Sequence, residues 1–332
     1  MFENFTAIWR GGTGAETRQG FAERCGLCVK TALLICAVWT APDAAADTIA
    51  FASDRSGGWA VYTLDLNGGQ AQMIADTDGS DFHPTWSPDG TRLAFFSSLG
   101  GRANLYAVRA DGSDLRQITF GDWIDKAPAW SPNGEWIAFS SDRAGGFDLY
   151  LVRSDGTDTR RLTNHPEDDK LPAWSPDGTR LAFATVRGGN TDVRLLNIET
   201  GAETRLTDHA RYDCYPSWSP DGESLAFASD RDGDFDIYRL NLKTNQLTLL
   251  TKNDLDDAFP SWSPDGSKIL YQTETEEGKW AVAWMNADGT GAARLTRSDG
   301  WDTKPVWRPG ALAVDLQQYK LFYWSLLKRR SD

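Results

Sequence analysis

The stretch Pro84-Thr85-Trp86-Ser87-Pro88-Asp89-Gly90 recurs along the chain and decides its fold. Its copies follow one another at a spacing of 44 residues four times and of 45 residues once. Their tryptophans are Trp86, Trp130, Trp174, Trp218, Trp262 and, in a degenerate last copy, Trp307. A fixed period of about 40 to 45 residues is typical of a repeat protein in which each unit is one small sheet. The sequence therefore predicts six such units.

Each unit contains four short apolar runs that keep the same register. One run closes on an aromatic residue in every unit, at Phe51, Phe95, Phe139, Phe183, Phe227 and Tyr271. Pairs such as Asp89-Gly90 and Asp111-Gly112 separate the runs, and Asp-Gly between short apolar runs indicates a hairpin turn. Runs of about 5 to 6 residues suit strands and are too short for helices.

Four strands in each of six units predict an all-β fold, a six-bladed β-propeller with four antiparallel strands per blade. Residues 48–75 lack the Trp-Ser-Pro run that should precede them, and residues 304–309 form a lone first run at the other end. We therefore expect the C-terminal strand that contains Trp307 to join the N-terminal blade and close the ring, which removes exposed sheet edges. The propeller is predicted to span residues 47–310.

These repeats resemble the TolB-like propeller family with WD40-like PD40 repeats, in which the Trp-Ser-Pro-Asp-Gly core is followed by an apolar run and a Ser-Asp-Arg-x-Gly turn. The resemblance covers residues 48–309. The turn is present at Ser53-Asp54-Arg55, Ser141-Asp142-Arg143 and Ser229-Asp230-Arg231, and is degenerate at Leu99-Gly100-Gly101 and Val186-Arg187-Gly188. TolB itself has an additional α/β domain before its propeller. We expect that domain to be absent here, because only 46 residues precede the repeats.

The two ends of the chain lie outside the repeats. Residues 1–46 combine a basic residue, Lys30, with a short apolar core and a final Ala44-Ala45-Ala46, which indicates a secretory signal peptide with an extended leader. We therefore expect a periplasmic or secreted protein with no transmembrane span. Residues 311–332 form an apolar and then basic tail, for which we favour docking on the propeller over binding to a membrane surface or to another protein.

The charge and the cysteine content of the chain exclude nucleic acid and anionic lipid as partners and an intramolecular disulfide as a bond. The chain has a formal net charge of −13, and the predicted signal segment removes four basic and four acidic residues, which leaves that charge unchanged. Such a protein repels nucleic acid and anionic lipid. Only Cys214 remains after cleavage, so no intramolecular disulfide can form. We expect a monomer whose partner is another envelope protein or peptide.

An aspartate stands three residues before the repeat proline in every unit. These residues are Asp81, Asp125, Asp169, Asp213, Asp257 and Asp302. One hypothesis is that they ring a mouth of the central channel and bind a ligand or a cation, for which Ca²⁺ or Mg²⁺ would suit the oxygen ligands. The favoured alternative is that each carboxylate accepts hydrogen bonds that brace its own loop, with no cofactor bound.

Residues that differ between units are better candidates for recognition, since a ligand breaks the symmetry of a repeat. The interface candidates beside the aspartates are Phe82, His83, Trp123, Tyr212, Tyr215, Phe259 and Trp301. Together they predict a mixed aromatic and acidic surface, and central aromatic residues are typical anchors of protein interfaces. Packing between blades is an equally favoured role for several of them.

Catalysis has little support in the sequence. The chain has three histidines, His83, His165 and His209, and none of the common hydrolase, metalloprotease or phosphate-loop motifs in its repeat region. His165 and His209 lie 44 residues apart, and we interpret them as exposed residues of equivalent loops. We predict a non-enzymatic protein that acts as a protein-interaction scaffold. The alternative is a metal-dependent, carbohydrate-active propeller, because some members of the resembled family are polysaccharide lyases with histidine-bound metal.

Overall fold

The computed structural model describes residues 47–297 and 300–310, and these residues form six four-stranded antiparallel sheets. The predicted signal segment and the predicted C-terminal tail lie outside the described residues. The innermost strands are β4 (Asp81–Trp86), β8 (Asp125–Trp130), β12 (Asp169–Trp174), β16 (Asp213–Trp218), β20 (Asp257–Trp262) and β24 (Asp302–Trp307).

Three further strands complete each blade outward. The second strands are β1 (Thr48–Ser53), β5 (Arg92–Ser97), β9 (Trp136–Ser141), β13 (Arg180–Thr185), β17 (Ser224–Ser229) and β21 (Lys268–Glu274). The third strands are β2 (Ala60–Asp65), β6 (Asn104–Arg109), β10 (Asp148–Arg153), β14 (Asp192–Asn197), β18 (Asp236–Asn241) and β22 (Trp280–Asn286). The outer strands are β3 (Gln72–Ala75), β7 (Arg116–Gln117), β11 (Arg160–Arg161), β15 (Glu203–Arg205), β19 (Leu247–Leu249) and β23 (Ala293–Arg294). A single 3₁₀ turn, Leu99–Gly101, lies between β5 and β6.

Ring closure follows the prediction. Strand β24, at the C-terminal end of the described chain, pairs antiparallel with β1, so blade 1 has the strand order β24-β1-β2-β3. Blades 2 to 6 are each built from four consecutive strands, from β4–β7 to β20–β23. The fold is therefore the expected all-β, six-bladed propeller, and its two ends are joined by backbone pairing that leaves no open sheet edge at the junction.

The repeated aromatic residues form the core between blades. The aromatic residue of each second strand is buried, a phenylalanine in five blades and Tyr271 in the sixth, and the apolar clusters combine residues from neighbouring blades. The repeat tryptophans belong to the same clusters, and the Nε1 of Trp174 donates a hydrogen bond of 3.2 Å to the carbonyl of Ala129 in the preceding blade. The motif therefore stabilises the contact between blades, while its Gly178, at φ 69°, allows the tight turn that follows.

Candidate ligand site on the propeller axis

The six repeated aspartates are the first residues of the innermost strands, and all are buried, with at most 1% of their surface exposed. In four blades an arginine of the following Ser-x-Arg or Thr-x-Arg turn binds the carboxylate. The pairs are Arg55–Asp302 at 2.6 Å, Arg143–Asp125 at 2.9 Å, Arg187–Asp169 at 2.8 Å and Arg231–Asp213 at 2.8 Å. These aspartates are therefore neutralised inside their own blades.

The whole Ser-Asp-Arg turn takes part in this brace. In blade 3, Arg143 also donates through Nε to the Ser141 hydroxyl at 2.9 Å. The neighbouring Asp142 accepts a 2.6 Å hydrogen bond from the backbone N–H of Ile124, just before Asp125. Blades 1 and 5 repeat the arrangement with Asp54 and Asp230. The motif thus fixes the loop that enters the innermost strand.

Two aspartates, Asp81 and Asp257, have no arginine at the corresponding turn position, which Leu99 and Thr275 occupy. Asp81 accepts hydrogen bonds from the backbone N–H and the hydroxyl of Thr77, at 2.9 and 2.6 Å. Asp257 accepts one from the Asn253 side-chain amide at 2.7 Å. Burial raises the pKa of both carboxyls, and these hydrogen bonds oppose the rise only in part.

This arrangement corrects the prediction that the aspartates present their carboxylates at a channel mouth. Within residues 47–297 and 300–310, no group of three or more His, Cys, Asp or Glu side chains is placed to hold a metal ion. The geometry agrees with the alternative, in which the carboxylates brace loops. A bound Ca²⁺ or Mg²⁺ stays a prediction that the structure does not support.

Two positions after each aspartate, the innermost strand bulges. In blade 3, two residues of β8 between Lys126 and Ala129 stand opposite a single residue of β9. The first residue of each bulge has a left-handed backbone: His83, Ala127, Leu171, Tyr215, Phe259 and Lys304 all have φ between 51° and 59°. Such φ values are uncommon for residues other than glycine. Each of these six residues, here called the bulge residues, precedes the repeat proline, which has no N–H to lose from the ladder.

All six bulge residues line one cavity of 370 Å³, and because they come from all six innermost strands, this axial cavity lies on the propeller axis. Phe96, Phe147, Ser140, Lys126 and Lys170 complete its wall. An adjoining cavity of 480 Å³ shares Phe96, Lys126 and Lys304 and adds Phe82 and Arg102. The volume of the axial cavity falls in the range of small-ligand sites, about 300–1,000 Å³.

Aromatic rings form one side of this cavity. The ring centroids of Tyr215 and Phe259 are 3.7 Å apart, and His83 lies 5.5 Å from both Phe259 and Phe96. The ammonium of Lys304 lies over three rings, 4.6 Å from Phe82, 5.3 Å from Phe259 and 5.9 Å from Phe96. Cation–π contacts of this kind stabilise a charge that has lost water.

The charge of the axial cavity is positive, although the chain is acidic overall. Burial, with a further contribution from the charge of Lys126, lowers the pKa of Lys304 to about 7. Burial and the two lysines hold the pKa of His83 well below its usual value, so that imidazole is neutral. Lys170 is paired with Asp168 at 2.6 Å. The axial cavity therefore combines the predicted aromatic residues with three lysines, which the sequence analysis missed.

The remaining interface candidates lie around this cavity or inside it. Phe82, His83, Tyr215 and Phe259 are partly buried in the cavity walls. Trp123, Tyr212 and Trp301 are 38%, 52% and 38% exposed on the loops that enter the innermost strands, at the same end as the bulges. The structure therefore brings the seven candidates to one end of the innermost strands.

The three histidines do not share a site. His83 lies in the axial cavity, whereas His165 and His209 lie in loops. There each Nδ1 accepts a hydrogen bond from the backbone N–H two residues later, at 3.2 and 3.3 Å.

A third cavity, of 520 Å³, lies away from the axis, between the Asp89-Gly90 and Asn133-Gly134 turns. Its walls are mostly residues of the repeated motif, so we interpret this cavity as a consequence of how neighbouring blades pack.

The fold and the site define a six-bladed propeller with a ligand-sized, asymmetric cavity on its axis. The chain belongs to the TolB beta propeller domain family, whose profile matches residues 27–170 and 164–316. A comparison with curated proteins found no match.

Solved structures share the fold at low sequence identity. TolB from Acinetobacter baumannii is 22% identical with a TM-score of 0.72, over 89% of this chain and 74% of that one. A putative TolB from Agrobacterium tumefaciens is 24% identical with a TM-score of 0.63, over 79% of this chain and 98% of that one. An oligogalacturonate lyase in complex with manganese is 18% identical with a TM-score of 0.54, over 77% and 76% of the two chains.

Proposed function

We propose that this protein is an exported, non-enzymatic propeller that binds another envelope protein or peptide through the face at which its innermost strands begin. The bulge residues carry this proposal. Their backbone conformation is the same in all six blades, whereas their side chains are all different. A shared conformation serves the fold, but six different side chains around one cavity suit a single, asymmetric partner.

The surroundings of the axial cavity support the same conclusion. Trp123, Tyr212 and Trp301 present exposed aromatic surface on the adjacent loops. Aromatic residues near the centre of a face are the usual anchors of protein interfaces. Membership of the TolB propeller family and the signal-like residues 1–46 support a location in the periplasm or outside the cell. No helix among the described residues is long and apolar enough to cross a membrane.

The lyase alternative has only the shared fold in its favour. A histidine-bound metal would need several histidines in one mouth of the ring, but His165 and His209 serve their own loops and only His83 reaches the axis. The lysines in the axial cavity further disfavour a cation there, since like charges repel.

The experiment is site-specific photocrosslinking in the native cells, with p-benzoylphenylalanine placed at Tyr212 or at Trp301. The control position is Leu247, which is 40% exposed on the outer strand of blade 5. We expect one and the same protein to be crosslinked from the first two positions and not from Leu247, and we expect the purified partner to bind this protein. Equal crosslinking from all three positions, or from none, would contradict the proposal.

A further inference from the structure

Two lysines line the axial cavity without an ion-pair partner among the described residues, the exposed Lys126 and the partly buried Lys304. Lys170, the third, is held by Asp168 at 2.6 Å. Lys126 and Lys304 have no ion-pair partner within the described ranges, although Lys304 lies partly buried. Two like charges that face one cavity repel each other, and an anion placed between them removes that repulsion.

The walls around these lysines indicate what kind of anion fits. Tyr215, Phe259 and Phe96 provide flat apolar surface beside the Lys304 ammonium. Ammonium groups form short, charge-assisted hydrogen bonds with carboxylates. The neutral His83 and the Tyr215 hydroxyl, whose pKa burial raises, contribute no negative charge of their own.

We propose that the axial cavity binds a carboxylate joined to a flat apolar group, with Lys304 and Lys126 holding the carboxylate and Tyr215 and Phe259 contacting the apolar part. This inference rests on the proposed function, because it specifies the chemistry that the face recognises. The carboxylate belongs either to a small free acid or to an acidic residue beside an aromatic one in a partner segment.

A compact, highly charged anion fits this cavity less well. Phosphate is polar on every side, and its oxygens lose hydration without replacement where they meet aromatic rings. The rest of the wall near Lys304 is aromatic. The geometry therefore favours one carboxylate with an apolar body over inorganic phosphate.

The proposal is tested by calorimetric titration of the full-length exported protein with benzoate, with uncharged benzamide and with inorganic phosphate. We expect benzoate to bind, and to bind at least about tenfold more tightly than either of the others, which corresponds to about 1.4 kcal/mol. Benzamide or phosphate binding as tightly as benzoate, or no benzoate binding, would overturn the proposal.

Variants test the assigned residues. Lys304→Gln and Lys126→Gln should each weaken benzoate binding at least about tenfold, whereas Lys252→Gln, on an exposed loop, should leave it unchanged. Circular dichroism confirms that each variant is folded. Lys304→Arg keeps a positive charge and should retain binding, so a loss in Lys304→Arg equal to that in Lys304→Gln would contradict an electrostatic role.

The pH dependence of benzoate binding distinguishes a binding role of Lys304 from a purely structural one. Of the groups that face Lys304, His83 stays neutral, Lys170 is paired with Asp168, the phenol of Tyr215 stays protonated, and Lys126 adds only positive charge. Benzoate binding should therefore strengthen as the pH falls from 8.5 to 6, through the pKa of Lys304 at about 7, and Lys304→Arg should lose this dependence. A pH dependence that is the same in Lys304→Arg would contradict the assignment.

Two peptides distinguish the sources of the carboxylate, N-acetyl-Phe-Glu-amide and its Gln counterpart. Binding of benzoate and of the Glu peptide, but not of the Gln peptide, indicates a partner segment, and binding of benzoate without either peptide indicates a small free acid. Crosslinking of a partner from Tyr212 and Trp301 without any benzoate binding would overturn this inference and leave the proposed function standing. Benzoate binding without a crosslinked partner would do the reverse.

Discussion

The six aspartates and the six bulge residues lie only two positions apart in the chain, yet they have opposite characters. The aspartates are identical in every blade, buried and bound by residues of their own blade. The bulge residues share one strained backbone conformation, and their side chains differ in every blade and meet on the axis. Stability and recognition therefore rest mainly on different positions of a single strand.

The largest expected effect is the loss of a brace. Asp125→Ala removes the carboxylate that Arg143 binds through both oxygens at 2.9 Å and leaves a largely buried guanidinium without it. Loss of one partner of a buried pair costs about 3–5 kcal/mol of unfolding free energy. Denaturant unfolding measures this loss. The control is Glu223→Ala, which breaks an exposed pair with Lys243 and should cost only about 0–1 kcal/mol. Equal losses in the two variants would refute the role of the brace.

A bulge residue should behave in the opposite way. The pKa of Lys304 in the folded protein, about 7, is below its ordinary value of 10.5, so the unfolded chain binds more protons between these pH values. The folded state therefore gains stability as the pH rises from about 7 to 10.5 and loses the same amount as the pH falls through this window, with no further loss once both states are protonated below about 7. Lys304→Met should raise the unfolding free energy at pH 7 by about 1 kcal/mol or more and flatten the dependence between pH 7 and 10. Destabilisation with an unchanged pH profile would contradict this account.

Backbone strain at the bulge predicts a smaller effect. Ala127 has φ 51°, a conformation that costs an ordinary residue about 1–2 kcal/mol and glycine almost nothing. Ala127→Gly should therefore leave stability unchanged or raise it by up to about 1 kcal/mol, after the entropy cost of glycine. Ala138→Gly, in a regular buried strand, should lower it instead. Thermal melts of both variants make the comparison, and a shift in the same direction for both would count against a strained bulge.

The smallest expected effect concerns cations. Because four of the six aspartates are already paired with arginines, calcium and chelator should give coincident thermal melts. A melting temperature that rises with calcium and falls with chelator would restore the hypothesis of a cation at the aspartates. Asp125→Asn, measured in the same series, shows whether any such shift arises at this position.

The fold was predictable because its signals are local and repeated. The 44-residue period gave the six blades, and the lone Trp307 run gave the closing strand. The ion pairs of the aspartates were harder to predict, although the sequence contains a signal for them. The arginine follows its aspartate by 18 residues in blades 3, 4 and 5. Blades 2 and 6, which lack that arginine, have Thr77 and Asn253 four residues before the aspartate.

The axial cavity could not be derived in the same way. The residue type does not indicate which residue before a proline has a left-handed backbone, since the six bulge residues range from alanine to lysine. Lys126, Lys170 and Lys304 resemble ordinary surface charges until the ring brings three blades together. The recognition residues differ from one repeat to the next, whereas the signals that predict the blades are those that the repeats share.

The central claim is that Lys304, a bulge residue, serves binding at no benefit to stability. The most direct measurement compares partner crosslinking from Trp301 in Lys304→Gln and in Lys252→Gln, together with the melting temperature of each purified protein. We predict that Lys304→Gln loses most of the crosslinked product while its melting temperature stays equal or rises, and that Lys252→Gln changes neither. Undiminished crosslinking in Lys304→Gln, or a loss that accompanies a lower melting temperature, would contradict the account.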